Sequence, residues 1–192
     1  MISAIVLAAG QAKRMGKQKL LLPFGRSTIL EQSIDNLLSS NVDEIIIVVG
    51  GQAQEIMGRI ANRPVKTVVN LDYRRGMSTS IIKGLSLVDE KSQGIMLVLG
   101  DQPLIDNATI NHLIEAFFSH NNGITLPKYD GKRGHPVIFS LKYRSELSHL
   151  EGDIGGKQII DEHPDDVLEV ETNTPSINID IDTPDDYKSA IS

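Results

Sequence analysis

The stretch ISAIVLAA, residues 2–9, decides the fold class, and GQAKRMGKQK follows it directly as residues 10–19. An apolar run of this length that ends at a glycine is typical of a strand whose two faces are both covered. Comparable runs recur at residues 44–49, 65–70 and 94–99. The chain therefore begins as a series of buried strands.

Segments with apolar residues at helical spacing lie between and after these strands, at Ile29–Leu38, Ile81–Leu87 and Ile110–Phe118. Ser27 or Thr28 is placed to begin the first of them, with Glu31 in the capping-box position relative to Thr28, and Asp106 or Asn107 to begin the last. The alternation of strands and helices predicts an α/β fold with an open, mostly parallel sheet.

The pattern changes after about residue 121. We expect a strand at 123–126, a turn at Asp130-Gly131 and a strand at 136–139, followed by two short helices and two further strands. This half looks α+β and could close over the first half. No Gly/Ser-rich or Pro-rich linker separates the halves, so we expect one domain over residues 1–192.

Composition excludes several classes of protein. The 192 residues include 19 basic and 25 acidic side chains, a formal net charge of −6, and no cysteine, which excludes disulfides and zinc–thiolate sites. Without a basic excess we expect no nucleic-acid and no membrane partner. The longest purely apolar run, residues 4–9, has six residues, far below the ~20 that cross a bilayer. No positive charge precedes the first apolar run, so we expect a cytoplasmic protein.

The basic loop after the first strand is the strongest functional signal. Its small residues let backbone amides approach a ligand, and four cations within residues 13–19 would neutralise a triphosphate. The spacing of Gly10 and Gly16 does not fit a P-loop, and Ala12 does not fit a dinucleotide fingerprint. A solvated basic loop is the alternative, but the carboxyl end of a buried strand is where open α/β sheets bind ligands.

Three aspartates are candidate metal ligands. Asp101 follows the apolar run 94–99 directly, a position suited to holding Mg²⁺ against phosphate oxygens, although an aspartate in a turn before a helix would look the same. Residues 178–182 alternate like a strand, which would put Asp180 and Asp182 on one face. These two either complete a metal site with Asp101 or face solvent. Thr183 and Pro184 then predict the start of a helix.

Three smaller segments have both a functional and a structural interpretation. Residues 74–80 offer hydroxyls and amides at a helix start, for ligand recognition or for capping. His135 stands between Gly134 and Pro136 at a strand start, where a histidine is either structural or functional. The glycine-rich loop 151–157 either contacts an acceptor or connects two helices.

Taken in order, the segments LAAGQAKRMGKQKLLLP, RRGMSTSIIKGL, GDQP, RGHPVIF, GDIGGK and DIDTPDDY resemble the molybdenum cofactor cytidylyltransferases of the MobA-like nucleotidyltransferase superfamily. The resemblance covers nearly the whole chain. It implies a Rossmann-like, three-layer α/β fold and an enzyme that uses Mg²⁺ and a nucleoside triphosphate to place a nucleotide on a phosphorylated acceptor, releasing pyrophosphate.

The resemblance also implies roles for individual residues. The backbones of Ala8, Ala9 and Gly10 would contact the base or ribose, and Arg14 and Lys19 would contact the triphosphate and act in catalysis. Asp101 would be the principal Mg²⁺ ligand, with Asp182 as the second carboxylate and Asp180 as its neighbour. A nucleotide-binding role in reading cytidine falls to Ser80. His135, Gly155 and Gly156 would lie on the acceptor side.

The reaction that the resemblance implies transfers CMP from CTP to the terminal phosphate of molybdenum-loaded molybdopterin. The LAAG start, where guanylyl-transferring relatives usually read LAGG, favours a pyrimidine nucleotide. Alternatives are guanylyl transfer to the same cofactor, cytidylyl transfer to another phosphorylated acceptor, and a non-catalytic nucleotide-binding module. A chaperone role toward a molybdenum hydroxylase could coexist with catalysis.

Overall fold

A computed structural model describes residues 1–10 and 19–191. Ten strands lie in this part of the chain: β1 (Ile2–Ala8), β2 (Pro23–Phe24), β3 (Ser27–Thr28), β4 (Glu44–Val49), β5 (Lys66–Val69), β6 (Gly94–Leu99), β7 (Ile124–Tyr129), β8 (Lys132–Arg133), β9 (Val137–Ser140) and β10 (Val167–Glu171). The α-helices are α1 (Ile29–Leu38), α2 (Ala53–Ile60), α3 (Met77–Leu85), α4 (Asn107–Ser119), α5 (Arg144–Ser148), α6 (Lys157–Glu162) and α7 (Pro184–Ile191).

The central sheet has the order β10-β7-β9-β6-β1-β4-β5, and β8 pairs with β7. Strands β5, β4, β1 and β6 run parallel, β9 pairs antiparallel with both β6 and β7, and β10 runs parallel to β7. Strands from the second half of the chain therefore extend the same sheet and do not form a layer over the first half.

Both faces of the sheet are covered, which produces three layers. Along β1, Ile2, Ala4 and Val6 belong to one buried cluster, which includes residues of α1, α2 and α4. Ile5, on the opposite face, belongs to a second cluster, which includes residues of α3, α5 and α6. The near-continuous apolar runs of the central strands follow from burial on both faces. The predicted α/β fold with a mostly parallel sheet is confirmed.

Several predicted helix starts are also confirmed. Thr28 and Glu31 form a capping box at α1, and the Asp106 side chain accepts a hydrogen bond from the Thr109 amide at α4. At α7, Thr183 Oγ1 accepts a hydrogen bond from the Asp186 amide over 3.2 Å, and Pro184 is the first helical residue. These side chains satisfy amide groups that a helix start leaves without intrahelical partners.

The strand predicted at residues 178–182 is wrong. Pro175–Asn178 form a 3₁₀ turn capped by the Thr174 side chain, and the residues that follow have no regular structure. Ile177 and Ile181 are the fully buried residues there, but the backbone between them belongs to no strand of the described sheet. The Ile181 amide instead donates to the Asp101 carbonyl over 3.3 Å, which brings this segment beside β6.

No helix among the described residues is long and apolar enough to cross a membrane.

Candidate functional site

The carboxyl ends of β1, β4, β5 and β6 meet at one edge of the sheet, as parallel pairing requires. Ala8 and Ala9 are buried there, whereas Gly10 is exposed. Gly50, at the end of β4, lies so close to β1 that a Cβ atom on it would stand 2.6 Å from the Ala9 carbonyl oxygen. The side chains of Ala8 and Ala9 therefore belong to the core, and only their backbone is placed to contact a ligand.

Lys19 lies at the centre of this edge and binds two of the predicted metal ligands. Its Nζ donates to Asp101 Oδ2 over 2.6 Å and to Asp182 Oδ1 over 2.7 Å. Lys19 begins a 3₁₀ turn, Asp101 follows β6, and Asp182 precedes α7, so three distant parts of the chain converge. The side chains of Lys19, Asp101 and Asp182 are 13%, 20% and 44% exposed, which leaves the cluster open to a ligand from solvent.

The charge of Lys19 is secured by its partners. Burial alone would lower the pKa of this ammonium group, but the charge and hydrogen bond of Asp101, together with those of Asp182, outweigh burial, and the pKa is raised above the ordinary lysine value. Lys19 is therefore a cation throughout the physiological pH range.

Asp180 has a different partner. Its Oδ1 accepts a 2.7 Å hydrogen bond from Gln102 Nε2, and the Gln102 side chain is buried beside the Ile177 carbonyl. Partial desolvation raises the pKa of Asp180, and the negative charge of Asp101 raises it further, against the effect of Gln102. The structure thus separates the two aspartates that the sequence placed on one face: Asp182 contacts Lys19, and Asp180 contacts Gln102.

Ser80 lies on the opposite side of the edge, in the first turns of α3. Its Oγ is 3.0 Å from Nδ2 of Asn70, a buried residue that follows β5 and also donates to Thr79 Oγ1. The sequence analysis did not identify Asn70 or Gln102. The available signal for both was the one used for Asp101: a polar residue at the end of a predicted strand.

The glycine-rich loop predicted at 151–157 packs against the start of α3. The Gly152 carbonyl accepts from the Ser78 amide over 3.2 Å, and Asp153 Oδ1 accepts from the Met77 amide over 2.9 Å. Gly76 has a φ of +118°, and a Cβ on it would stand 2.3 Å from the Gly152 carbonyl oxygen, so only glycine fits. Two segments that the sequence left separate, 74–80 and 151–157, therefore pack directly against each other.

His135 lies close enough to Asp101 to interact with its charge. Burial lowers the pKa of the His135 ring, and the charge of Asp101 opposes this only in part, so the imidazole is neutral at pH 7. Its Nδ1 is buried without a hydrogen-bond partner among residues 1–10 and 19–191. The two glycines assigned to the same acceptor side have apolar neighbours: Gly155 lies against Met77 and Gly156 against Phe139.

Arg14 lies within residues 11–18, outside the described residues, so its predicted contact with the triphosphate stays a prediction.

A second group of side chains able to bind a metal was missed by the sequence analysis, which assigned no role to His163. Glu146, Glu162 and His163 each offer one ligand atom, and these atoms lie within 4.8 Å of one another. The His163 ring also contacts the Tyr143 ring at a tilt of 57°, and the Tyr143 hydroxyl donates to Asp166 just before β10 begins. This places the group toward the amino-terminal edge of the sheet, away from Asp101.

The aspartates around Lys19 suit a hard divalent cation. One oxygen of Asp101 and one of Asp182 both lie within 2.7 Å of a single point, the Lys19 nitrogen. Carboxylate oxygens, completed by phosphate oxygens or water, are the ligands that Mg²⁺ takes in phosphate-binding sites. The donor set at this edge therefore fits a metal-bound nucleoside triphosphate.

Comparison with known proteins gives a consistent result. The family model for the MobA-like NTP transferase domain matches residues 4–167. Molybdenum cofactor cytidylyltransferase of Escherichia coli (strain K12) is 33% identical over 190 residues, 98% of this chain and 95% of that protein. Nicotine blue oxidoreductase of Paenarthrobacter nicotinovorans is 30% identical over 192 residues, 95% of this chain and 92% of that protein.

Solved structures are similar to this chain over nearly its whole length. Rv0371c from Mycobacterium tuberculosis H37Rv superposes with a TM-score of 0.88 at 33% identity, over 99% of this chain and 96% of that one. The complex of Rv0371c with manganese superposes with a TM-score of 0.82 at 32% identity, over 99% of this chain and 97% of that one.

Proposed function

Because the chain belongs to the MobA-like NTP transferase domain family, and is a nucleotidyltransferase, we propose that it transfers CMP from CTP to the terminal phosphate of molybdenum-loaded molybdopterin. It would act as a single domain over residues 1–192. The observation that carries the proposal is the bridge from Lys19 to Asp101 and Asp182 at the carboxyl edge of the sheet. Similarity to the E. coli cytidylyltransferase over 98% of the chain supports this choice of substrates.

The proposed chemistry is an in-line displacement at the α-phosphorus of CTP. A phosphate oxygen of the acceptor forms the new P–O bond, the bond from the α-phosphorus to the bridging oxygen breaks, and pyrophosphate leaves with that electron pair. A phosphate monoester is already anionic at neutral pH, so no general base has to remove a proton. Catalysis then consists mostly of positioning and charge stabilisation.

Each residue of the site has a place in this proposal. Lys19 and Arg14 bind the triphosphate and stabilise the charge that develops on departing pyrophosphate. Asp101 and Asp182 would hold Mg²⁺, which supplies Lewis-acid stabilisation of the phosphate oxygens. The backbone of Ala8, Ala9 and Gly10 contacts the nucleoside, and Ser80, held by Asn70, reads the cytosine ring.

In this proposal the acceptor binds on the other side of Asp101 from CTP. The neutral ring of His135 and the loop around Gly155 and Gly156 would contact the pterin. The neighbouring structure with manganese supports a divalent metal in this fold, and magnesium is our choice because of the hard oxygen ligands. We further propose a cytoplasmic setting and transfer of the finished cofactor to a molybdenum hydroxylase.

A nucleotide panel tests the proposal. We expect CTP with Mg²⁺ to raise the melting temperature more than GTP, UTP, ATP or dTTP, because a ligand at ~100 times its dissociation constant adds about 2.7 kcal/mol to the free energy of unfolding. For a chain of this size that is a rise of about 5–10 °C. A rise with GTP alone would instead assign the protein to guanylyl transfer, and equal rises with all five nucleotides would contradict base selection.

A further inference from the structure

Lys19 fills the space between two carboxylates that the proposed function assigns to a metal. Its nitrogen is 2.6 Å from Asp101 Oδ2 and 2.7 Å from Asp182 Oδ1, whereas Mg²⁺ would lie about 2.0–2.1 Å from the same atoms. An ammonium group and a divalent cation at those distances would be in contact with each other. They cannot occupy the space between Asp101 and Asp182 together.

The charges of these groups also indicate that Lys19 and the metal exclude each other. Lys19 donates one charge-assisted hydrogen bond to each of the two carboxylates. A divalent cation that binds the same two oxygens replaces both hydrogen bonds and displaces the ammonium from between the carboxylates. A triphosphate gives the displaced Lys19 a new anionic partner, so the exchange costs less when the nucleotide is present.

We infer that Lys19 is an internal substitute for the metal, which holds Asp101 and Asp182 together before substrate arrives. The triphosphate takes Lys19 away from the aspartates. The metal and the triphosphate therefore bind cooperatively. The inference rests on the proposed function for the identity of the two metal ligands. Since coupling between two ligands is reciprocal, the metal alone and the nucleotide alone would each bind weakly, and together they would bind tightly.

The test is a titration with Mn²⁺ in the absence of any nucleotide, with free Mn²⁺ followed by its electron paramagnetic resonance signal. Lys19→Met removes the competing charge and keeps the length of the side chain. We expect this variant to bind Mn²⁺ at least tenfold more tightly than the wild type. The loss of a residue from a binding site ordinarily weakens binding, so a gain in affinity distinguishes the inference from a general loss of the site. Equal or weaker binding by Lys19→Met would overturn the inference.

Two control variants test whether the gain in Mn²⁺ affinity arises from Lys19 and Asp101. Lys128 also lies between two carboxylates, Glu169 at 2.7 Å and Glu171 at 3.8 Å, on the strands β7 and β10. We expect Lys128→Met to leave the Mn²⁺ affinity unchanged, and the double variant Lys19→Met/Asp101→Asn to lose the gain. A comparable gain in Lys128→Met, or a gain that persists without Asp101, would contradict a specific exchange at this site.

A measurement on the wild type covers the case in which Lys19→Met does not fold. Labelling of lysines by a small amine-reactive reagent, read by mass spectrometry, reports whether Lys19 is held by its partners. We expect saturating Mn²⁺ to increase labelling of Lys19 and to leave Lys128 unaffected. Unchanged labelling of Lys19 would overturn the inference. Neither experiment contains CTP or acceptor, so an error in the proposed substrates would leave both outcomes unaltered.

Discussion

Lys19→Met lowers kcat/KM for nucleotidyl transfer by roughly 10³-fold while the fold is retained. The expectation follows from the removal of a fixed cation that would contact the triphosphate, since the loss of one donor to developing negative charge costs about 10²–10³ in rate. Lys19 contributes no apolar side chain to either buried cluster, so the loss should appear in catalysis and not in the circular dichroism spectrum.

Pyrophosphate release measures this effect, with Lys128→Met as the matched control. Lys128 is also paired with two carboxylates, but it lies on β7, which β9 separates from β6 and β1 in the sheet. We expect its removal to leave turnover unchanged. Turnover near the wild-type rate in Lys19→Met would refute the role of Lys19 in the reaction.

Asp101→Asn also lowers turnover by roughly 10³-fold, for a different reason. The substitution keeps the shape of the side chain and its place after β6 but removes the negative charge that would bind the metal and that now pairs with Lys19. Several kcal/mol of charge stabilisation by a divalent ion depend on that ligand. The Mg²⁺ concentration needed for half-maximal rate should therefore rise together with the loss of rate.

Asp180→Asn is the matched control for Asp101. Asp180 is a neighbouring carboxylate whose hydrogen bond goes to Gln102, not to Lys19. Its substitution should reduce turnover much less and leave the Mg²⁺ dependence close to that of the wild type. Equal losses of turnover in Asp101→Asn and Asp180→Asn would mean that the rate depends on the total negative charge at this edge. Asp101 would then have no specific role as a metal ligand.

The fold could be predicted where burial alone determines the local structure. Strands β1, β4 and β6 are covered on both faces, so their apolar runs identify them without any tertiary information. Helix α1 was predictable from its apolar spacing and from the capping box of Thr28 and Glu31. Helix α2 offers only Ile56 and Ile60 as buried residues, too few for a periodicity, and the sequence analysis assigned nothing there.

The site was predictable in its parts and not in its arrangement. The position of Asp101 after a buried strand indicated a ligand, the basic loop and the alternation of 178–182 made Lys19 and Asp182 candidates, and the resemblance gave each of them a role. Lys19 and Asp182 are 163 positions apart, and Gln102 and Asp180 are 78 apart. Contacts at such separations depend on how the whole sheet packs. The alternation of residues 178–182 even suggested the wrong local structure, because an isolated contact such as that from the Ile181 amide to the Asp101 carbonyl holds this segment, and no strand pairing does.

Cytidylyl transfer is measured directly by following label from CTP radiolabelled at its α-phosphate to molybdenum-loaded molybdopterin, with Mg²⁺ present and pyrophosphate counted in parallel. We predict one labelled nucleotide on the acceptor for each pyrophosphate released, with transfer slowed roughly 10³-fold in Lys19→Met and in Asp101→Asn. A labelled acceptor that forms in both variants as fast as in the wild type would contradict the roles of Lys19 and Asp101. No labelled acceptor from CTP with the wild-type protein would contradict cytidylyl transfer.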